Sequence, residues 1–280
     1  MIRTLSAAIT GAVTTLAVLL TGMSFAQAAV THPVTAARST YSHNGEHEYF
    51  GIYTETSGNI WSTLRLTESG NVYLPAFQVV QASQGGWVYP NIGQGAEHGM
   101  VPYEGGRKTW YPVPAAHDGN PVVNLRTALT RGGSWNAGFD VWFEPGYDAA
   151  GTHQGQGGTE VMVWTAAMRN GRWASRGPGT SYGVVYEDGI WWNVNGGYVC
   201  QHGDCWHRIY FAAQRPMADF HGSLNPFFGQ AMHFHALAHA WWLTGLDYGF
   251  EINSGGGGLA VTSYLLNGVQ NARAQEEYGS

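Results

Sequence analysis

Residues 139–144, Phe139-Asp140-Val141-Trp142-Phe143-Glu144, alternate between two kinds of side chain. Successive residues of a strand point to opposite faces, so Phe139, Val141 and Phe143 share one face and Asp140, Trp142 and Glu144 the other. Glu160-Val161-Met162-Val163-Trp164 repeats the pattern, with Glu160, Met162 and Trp164 opposite Val161 and Val163. In Gly249-Phe250-Glu251-Ile252, Phe250 and Ile252 point one way and Glu251 the other. Each run has an apolar face suited to a core and an acid on the opposite side, which is the pattern of a half-buried strand.

Outward from these runs the chain keeps the same character. Further strand-like stretches cover 71–82, 183–186 with 190–194, 206–214 and 257–266, and the runs above extend over 135–144 and 160–167. Glu68-Ser69-Gly70, Arg169-Asn170-Gly171 and Glu187-Asp188-Gly189 supply turn signals between them. Charged residues make up only 11% of the chain while Gly numbers 40 and Trp 12, a composition poor in helix formers and rich in turn and aromatic residues. Evenly spaced short strands predict an all-β sandwich or barrel and not a βαβ fold. One helix is expected over about 225–242, with Asn225 as N-cap and Pro226 at its first position. Phe227, Ala231, Phe234, Ala238 and Trp241 fall at helical spacing along it, and Gly245 follows its end.

The N-terminus reads as an export signal. Arg3 precedes an uncharged apolar stretch from Leu5 to Leu20, and Ala26-Gln27-Ala28 offers a small-residue cleavage site. The stretch is shorter than the ~20 apolar residues a membrane span needs. The expected organisation is a signal peptide over 1–28, one domain over 29–270 and a polar tail over 271–280. A secreted, extracellular protein with no membrane attachment after cleavage follows, and no linker implies a second module. The net charge of −6 and the lack of any basic run exclude a nucleic-acid footprint. Cys200 and Cys205 flank a four-residue loop between two strand-like runs, so in an oxidising compartment they are expected to form a disulfide.

Acids on an ordinary solvent face keep company with Thr, Ser and Lys. Here they sit beside Trp and Met, which points to a cleft in which a partly desolvated carboxyl can act as an acid. Aromatic rings stack on the apolar faces of sugars, so such a cleft suits a polysaccharide. Other chemistries have weaker support. His235 and His239 are four apart on the expected helix, with His233 nearby, but no acid lies among them as a metalloprotease motif requires. Gly255–Gly258 lacks the Lys of a phosphate loop, and Ser39, Ser134 and Ser181 lie in no nucleophile elbow.

Several motifs together resemble glycoside hydrolase family 12. Glu160-Val161-Met162-Val163-Trp164 is similar to the strand that bears the family's nucleophile. Gly249-Phe250-Glu251-Ile252, with Gly258-Leu259-Ala260-Val261-Thr262-Ser263-Tyr264 after it, is similar to the acid/base segment. Trp135-Asn136-Ala137-Gly138-Phe139-Asp140-Val141-Trp142 resembles the strand whose Asp neighbours the nucleophile. Tyr89-Pro90-Asn91-Ile92, Asn59-Ile60-Trp61 and Trp242-Leu243-Thr244 match further segments. The resemblance runs from about Asn59 to Asn267 and implies a β-jelly roll of two curved antiparallel sheets with a cleft across one of them.

It implies a retaining endo-β-1,4-glucanase that acts on cellulose-type, mixed-linkage or xyloglucan chains. Glu160 would attack the anomeric carbon and Glu251 would protonate the leaving oxygen, then activate water. Retention needs the two carboxyls about 5–5.5 Å apart, an arrangement expected from adjacent strands of one sheet. Asp140 would neighbour Glu160 and tune it, Met162 and Trp164 would line the reacting subsite, and Trp61 and Asn91 would contact substrate. Neither a metal nor an organic cofactor is expected, and the protein is expected to be a monomer. The family usually carries Trp two residues after the acid/base Glu, where this chain has Asn253. That departure keeps open a non-catalytic carbohydrate-binding protein on the same scaffold. A family 11-like xylanase would need motifs that the chain lacks.

Overall fold

Tight turns set the hairpins of this chain. Asn170 and Gly171 have φ of 50° and 75°, and Asp188 and Gly189 have 50° and 78°. Two consecutive left-handed residues match the twist of the strands they join, which is why Asn-Gly and Asp-Gly close two-residue hairpins. The computed structural model describes residues 30–34, 38–43, 48–54, 62–66, 77–79, 87–95, 113–114, 121–145, 157–201, 204–239 and 241–267. The expected signal peptide, the 68–70 turn, Trp61 and the tail lie outside the described residues, as does most of the 71–82 run.

The strands are β1 (Val30–Val34), β2 (Arg38–His43), β3 (Glu48–Thr54), β4 (Ser62–Leu66), β5 (Phe77–Val79), β6 (Val88–Gly95), β7 (Val113–Pro114), β8 (Val122–Ala128) and β9 (Ser134–Glu144). They continue with β10 (Thr159–Arg169), β11 (Arg172–Trp173), β12 (Thr180–Glu187), β13 (Ile190–Gln201), β14 (Asp204–Ala213) and β15 (Asp219–Ser223). Helix α1 (Asn225–His233), β16 (Trp242–Ser254) and β17 (Ala260–Asn267) complete the order. Among the described residues they form two sheets. The smaller runs β1-β4-β5-β17-β8-β15, and the larger runs β12-β13-β14-β10-β9-β16-β6-β3-β2, with β11 on β10 and β7 on β16. All pairs are antiparallel except β10 with β14.

The core lies between the sheets and contains the residues that alternation assigned to it. Phe139, Val141, Phe143, Val161 and Val163 are fully buried, as are Phe250 and Ile252. Phe139 of the larger sheet meets Phe220 of the smaller one edge to face, with ring centroids 5.2 Å apart. Helix α1 packs on the same inner face through Phe227 against Trp192 and Phe228 against Phe143. The opposite face of the larger sheet is left to carry the acids.

The helix is shorter than its sequence period implies. It ends at His233, its N-cap is Leu224, and the Ser223 hydroxyl accepts the Asn225 N–H at 3.0 Å. His235 takes a left-handed φ of 57°, the Ala236 N–H reaches the Ala231 carbonyl, and the His235 N–H reaches that of Met232. This is the two-bond Schellman closure, which turns the chain out of the helix. Ala236 and Leu237 then bury in the core from outside the helix, and Thr159 Oγ1 donates to the Ala236 carbonyl. Of the residues that carried the expected period past 233, Phe234 and Trp241 are half-buried against the core and Ala238 is exposed, so the spacing outlasted the helix by coincidence of composition. Gly245 lies inside β16, and His235 and His239 share no helical face.

Candidate functional site

The register of three strands assembles the acids. On β10, Glu160 stands opposite Trp142 of β9, Met162 opposite Asp140, and Trp164 opposite Gly138. On the far side of β9, Asp140 faces Asp247 of β16, Gly138 faces Gly249, and Asn136 faces Glu251. Glu160 and Glu251 therefore share the outer face of one sheet. The sequence reading expected adjacent strands, and the structure corrects it: β16 adds to the free edge of β9 and leaves β9 between them, with Glu160 level with Trp142 and Glu251 level with Asn136 further along that strand.

Each glutamate is held by a neighbour. The indole N–H of Trp206 donates to Glu160 Oε2 at 2.6 Å, and Arg208 Nε donates to the same oxygen in an ion pair. Glu160 is 2% exposed and Arg208 18%. Asn136 Nδ2 donates to Glu251 Oε2. Arg208 also donates through Nη1 to the Tyr210 hydroxyl at 3.2 Å. Burial works against the guanidinium charge, but Glu160, Tyr210 and Asp140 outweigh it and raise the Arg208 pKa above its usual value. Burial raises the Tyr210 hydroxyl as well, and both Glu160 and Glu251 add to the rise while Arg208 opposes it. One hydroxyl thus lies within electrostatic reach of both carboxylates.

A cavity of about 230 Å³ opens here, with Asn136, Trp164, Arg208, Tyr210, Glu251 and Asn253 in its wall. Glycine makes room for the ring in that wall, since a Cβ on Gly138 would come 2.7 Å from Trp164 Cδ1. Trp164 Nε1 is buried with no hydrogen-bond partner among the described residues. Met162 is buried beneath this surface, clustered with Trp164, Ala167, Tyr210 and Ala212.

The expected site residues divide accordingly. Glu251 and Trp164 line the cavity, and Glu160 reaches it through Arg208. Asp140 is buried two pairs along from Glu160 and acts on the ion pair by its charge on Arg208, while the hydrogen bonds to Glu160 come from Trp206 and Arg208. Asn91 is buried on β6 opposite Gly249, away from the cavity wall. Trp61 lies outside the described residues. Cys200 and Cys205 are directly paired across the β13–β14 hairpin and joined by a disulfide.

Trp206, Arg208, Tyr210 and Asn136 were missed. A signal existed for three of them: in Trp206-His207-Arg208-Ile209-Tyr210-Phe211 the apolar Ile209 and Phe211 alternate with Trp206, Arg208 and Tyr210. That is the pattern of the acid-bearing strands with a cation in place of the acid. Among the described residues no group of three or more His, Cys, Asp and Glu is arranged to hold a metal, and no helix is long and apolar enough to cross a membrane.

No protein-family model matches the chain, and no curated protein matches it. Solved structures do. A metagenome-derived glycoside hydrolase family 12 endoglucanase superposes with a TM-score of 0.68 at 20% identity, covering 85% of this chain and 97% of its own. Endoglucanase Cel12A from Rhodothermus marinus gives 0.65 at 18% identity, over 84% of this chain and 98% of that one. A family 12 xyloglucanase from Bacillus licheniformis gives 0.63 at 16% identity, over 85% and 100%. The fold is the β-jelly roll of the family 12 structures, two sheets with a single described helix, as the resemblance implied.

Proposed function

We propose that this protein is an exported retaining β-glucan hydrolase that cleaves internal β-1,4 linkages, with Glu160 as nucleophile and Glu251 as general acid/base. The observation that carries the reading is the placement of both glutamates on the outer face of one sheet, with Glu251 in the wall of an open cavity and Glu160 paired to Arg208 of the same wall. The neighbours of the same fold are endoglucanases and a xyloglucanase, which favours a β-glucan as substrate. Export rests on the sequence of residues 1–28.

The chemistry follows from the two holds. Glu160, held in place by Arg208 and Trp206, attacks the anomeric carbon while Glu251 passes its proton to the departing oxygen. Water then attacks the glycosyl-enzyme, gives its proton to Glu251, and Glu160 departs with retention of configuration. Trp164 lines the cavity that would receive the sugar, and Asp140 adds charge beside Arg208. The reaction needs no metal or organic cofactor.

The test is reducing-sugar release from carboxymethylcellulose, mixed-linkage glucan, xyloglucan and xylan by the mature protein and by Glu160→Gln. Release from a β-glucan, abolished in the variant, is expected. Binding of a glucan by folded protein with no release from any polymer would replace the enzyme with a carbohydrate-binding protein. Glu251→Gln separates the two roles, since it should still react with an aryl glycoside whose leaving group needs no proton.

A further inference from the structure

Both donors at Glu160 end on the same oxygen. Trp206 Nε1 and Arg208 Nε each meet Oε2, and no described residue donates to Oε1. Arg208 is itself held, with its guanidinium 5.4 Å from the centroid of the Trp206 ring, 5.9 Å from that of Tyr210, and bonded to the Tyr210 hydroxyl. A planar guanidinium fixed on two sides cannot follow the carboxylate if it turns.

We propose that Arg208 is a positioning residue for Glu160: with Trp206 it fixes Oε2, leaves Oε1 to form the bond to the sugar, and speeds the step in which that bond breaks. The proposal rests on Glu160 being the nucleophile. In the first step the C1–Oε1 bond forms, the bond from C1 to the leaving oxygen breaks, and the Glu251 proton goes to that oxygen. The carboxylate loses its negative charge, so Arg208 stabilises the state before the step more than the state after it. In the second step a water oxygen bonds to C1, its proton goes to Glu251, and the C1–Oε1 electron pair returns to Glu160. Charge now develops on the carboxylate beside a fixed cation and an indole N–H, which lowers the barrier. Arg208 therefore shifts the balance of the two steps toward rapid release of the glycosyl-enzyme.

The experiment uses 2,4-dinitrophenyl β-cellobioside, whose leaving group makes the first step fast, with the mature protein, Arg208→Met, Arg208→Lys and Trp206→Phe. For Arg208→Met the expected result is a burst of dinitrophenolate stoichiometric with enzyme, and a steady-state kcat lower by about 10- to 100-fold, the range for losing a hydrogen bond to a charged group. KM should fall with kcat, because the glycosyl-enzyme accumulates, and mass spectrometry should find the sugar on Glu160. Arg208→Lys should recover part of kcat, and Trp206→Phe should change it in the same direction by less. A purely structural role would reduce the active fraction and the melting temperature with neither a burst nor a fall in KM. Folded variants with unchanged kcat and KM, or with kcat lost at constant KM, would overturn the proposal while leaving the hydrolase reading intact. If Arg208→Met does not fold, the Lys and Phe variants decide it by the same criteria. Wild-type protein that releases neither dinitrophenolate nor sugar from any polymer removes the hydrolase reading, and this proposal with it.

Discussion

Asn136 and Glu251 face one another across neighbouring antiparallel strands, and the Asn136 amide donates to Glu251 Oε2. The carboxyl that is proposed to give and take a proton is therefore aimed by a neutral donor on β9, the strand that also carries Asp140. Asn136→Ala should leave the fold intact and lower kcat/KM by about tenfold or more, in line with the loss of a hydrogen bond to a charged group. The loss should be larger for aryl cellobiosides with poor leaving groups, which need the proton, than for dinitrophenyl ones. Equal losses across the series would mean that Asn136 does not act through Glu251.

Asn253 lines the cavity next to Glu251, at the position where the resembling family carries Trp. Asn253→Trp should place an indole in a cavity of about 230 Å³ and so reduce it. The expected result is a lower KM on linear cello-oligosaccharides, from stacking, and a lower kcat/KM on branched xyloglucan, from lost space. Parallel changes on the two substrates would show that this wall does not select between them.

The Cys200–Cys205 disulfide closes a short hairpin between β13 and β14, just before Trp206. In the chain-entropy account a loop this small contributes about 2 kcal/mol. The double Ser variant should melt roughly 5 °C lower, the shift that this free energy gives in a domain of this size. Calorimetry with and without reductant checks it. An unchanged melting temperature would mean that the crosslink does not restrain the unfolded chain.

His207 sits on β14 with its Nδ1 buried and without a hydrogen-bond partner, and burial lowers its pKa below the usual 6.5. The neutral ring is favoured in the folded protein, so the unfolded chain binds the extra proton more readily. Its contribution to stability is complete above pH 6.5 and is lost as the pH falls through the lowered folded value. His207→Gln should flatten the fall in melting temperature between about pH 7 and pH 5. A variant with the same slope would place the acid sensitivity in other groups.

Period two in the sequence located the strands that matter. β9, β10, β12, β13, β14, β16 and β17 overlap the runs read from it, and the turns at Asn170-Gly171 and Asp188-Gly189 are where the dipeptides put them. The helix is shorter than its spacing implied because Phe234, Ala238 and Trp241 keep the interval while the chain turns out of the helix at the left-handed His235, and Ala238 is exposed. A spacing of apolar residues does not report where the backbone changes course.

The sequence by itself determined which face of each strand is apolar, and with it the all-β class, the core and the side on which Asp140, Glu160 and Glu251 must lie. Alternation is a local property of consecutive residues, so it is legible without any fold. Which strands stand side by side is not local. That β9 separates the two acid strands, and that a parallel β14 brings Trp206 and Arg208 onto Glu160 and Tyr210 within reach of both glutamates, was decided by the tertiary structure alone. Strand order depends on contacts between residues far apart in the chain, and no spacing within a strand records them.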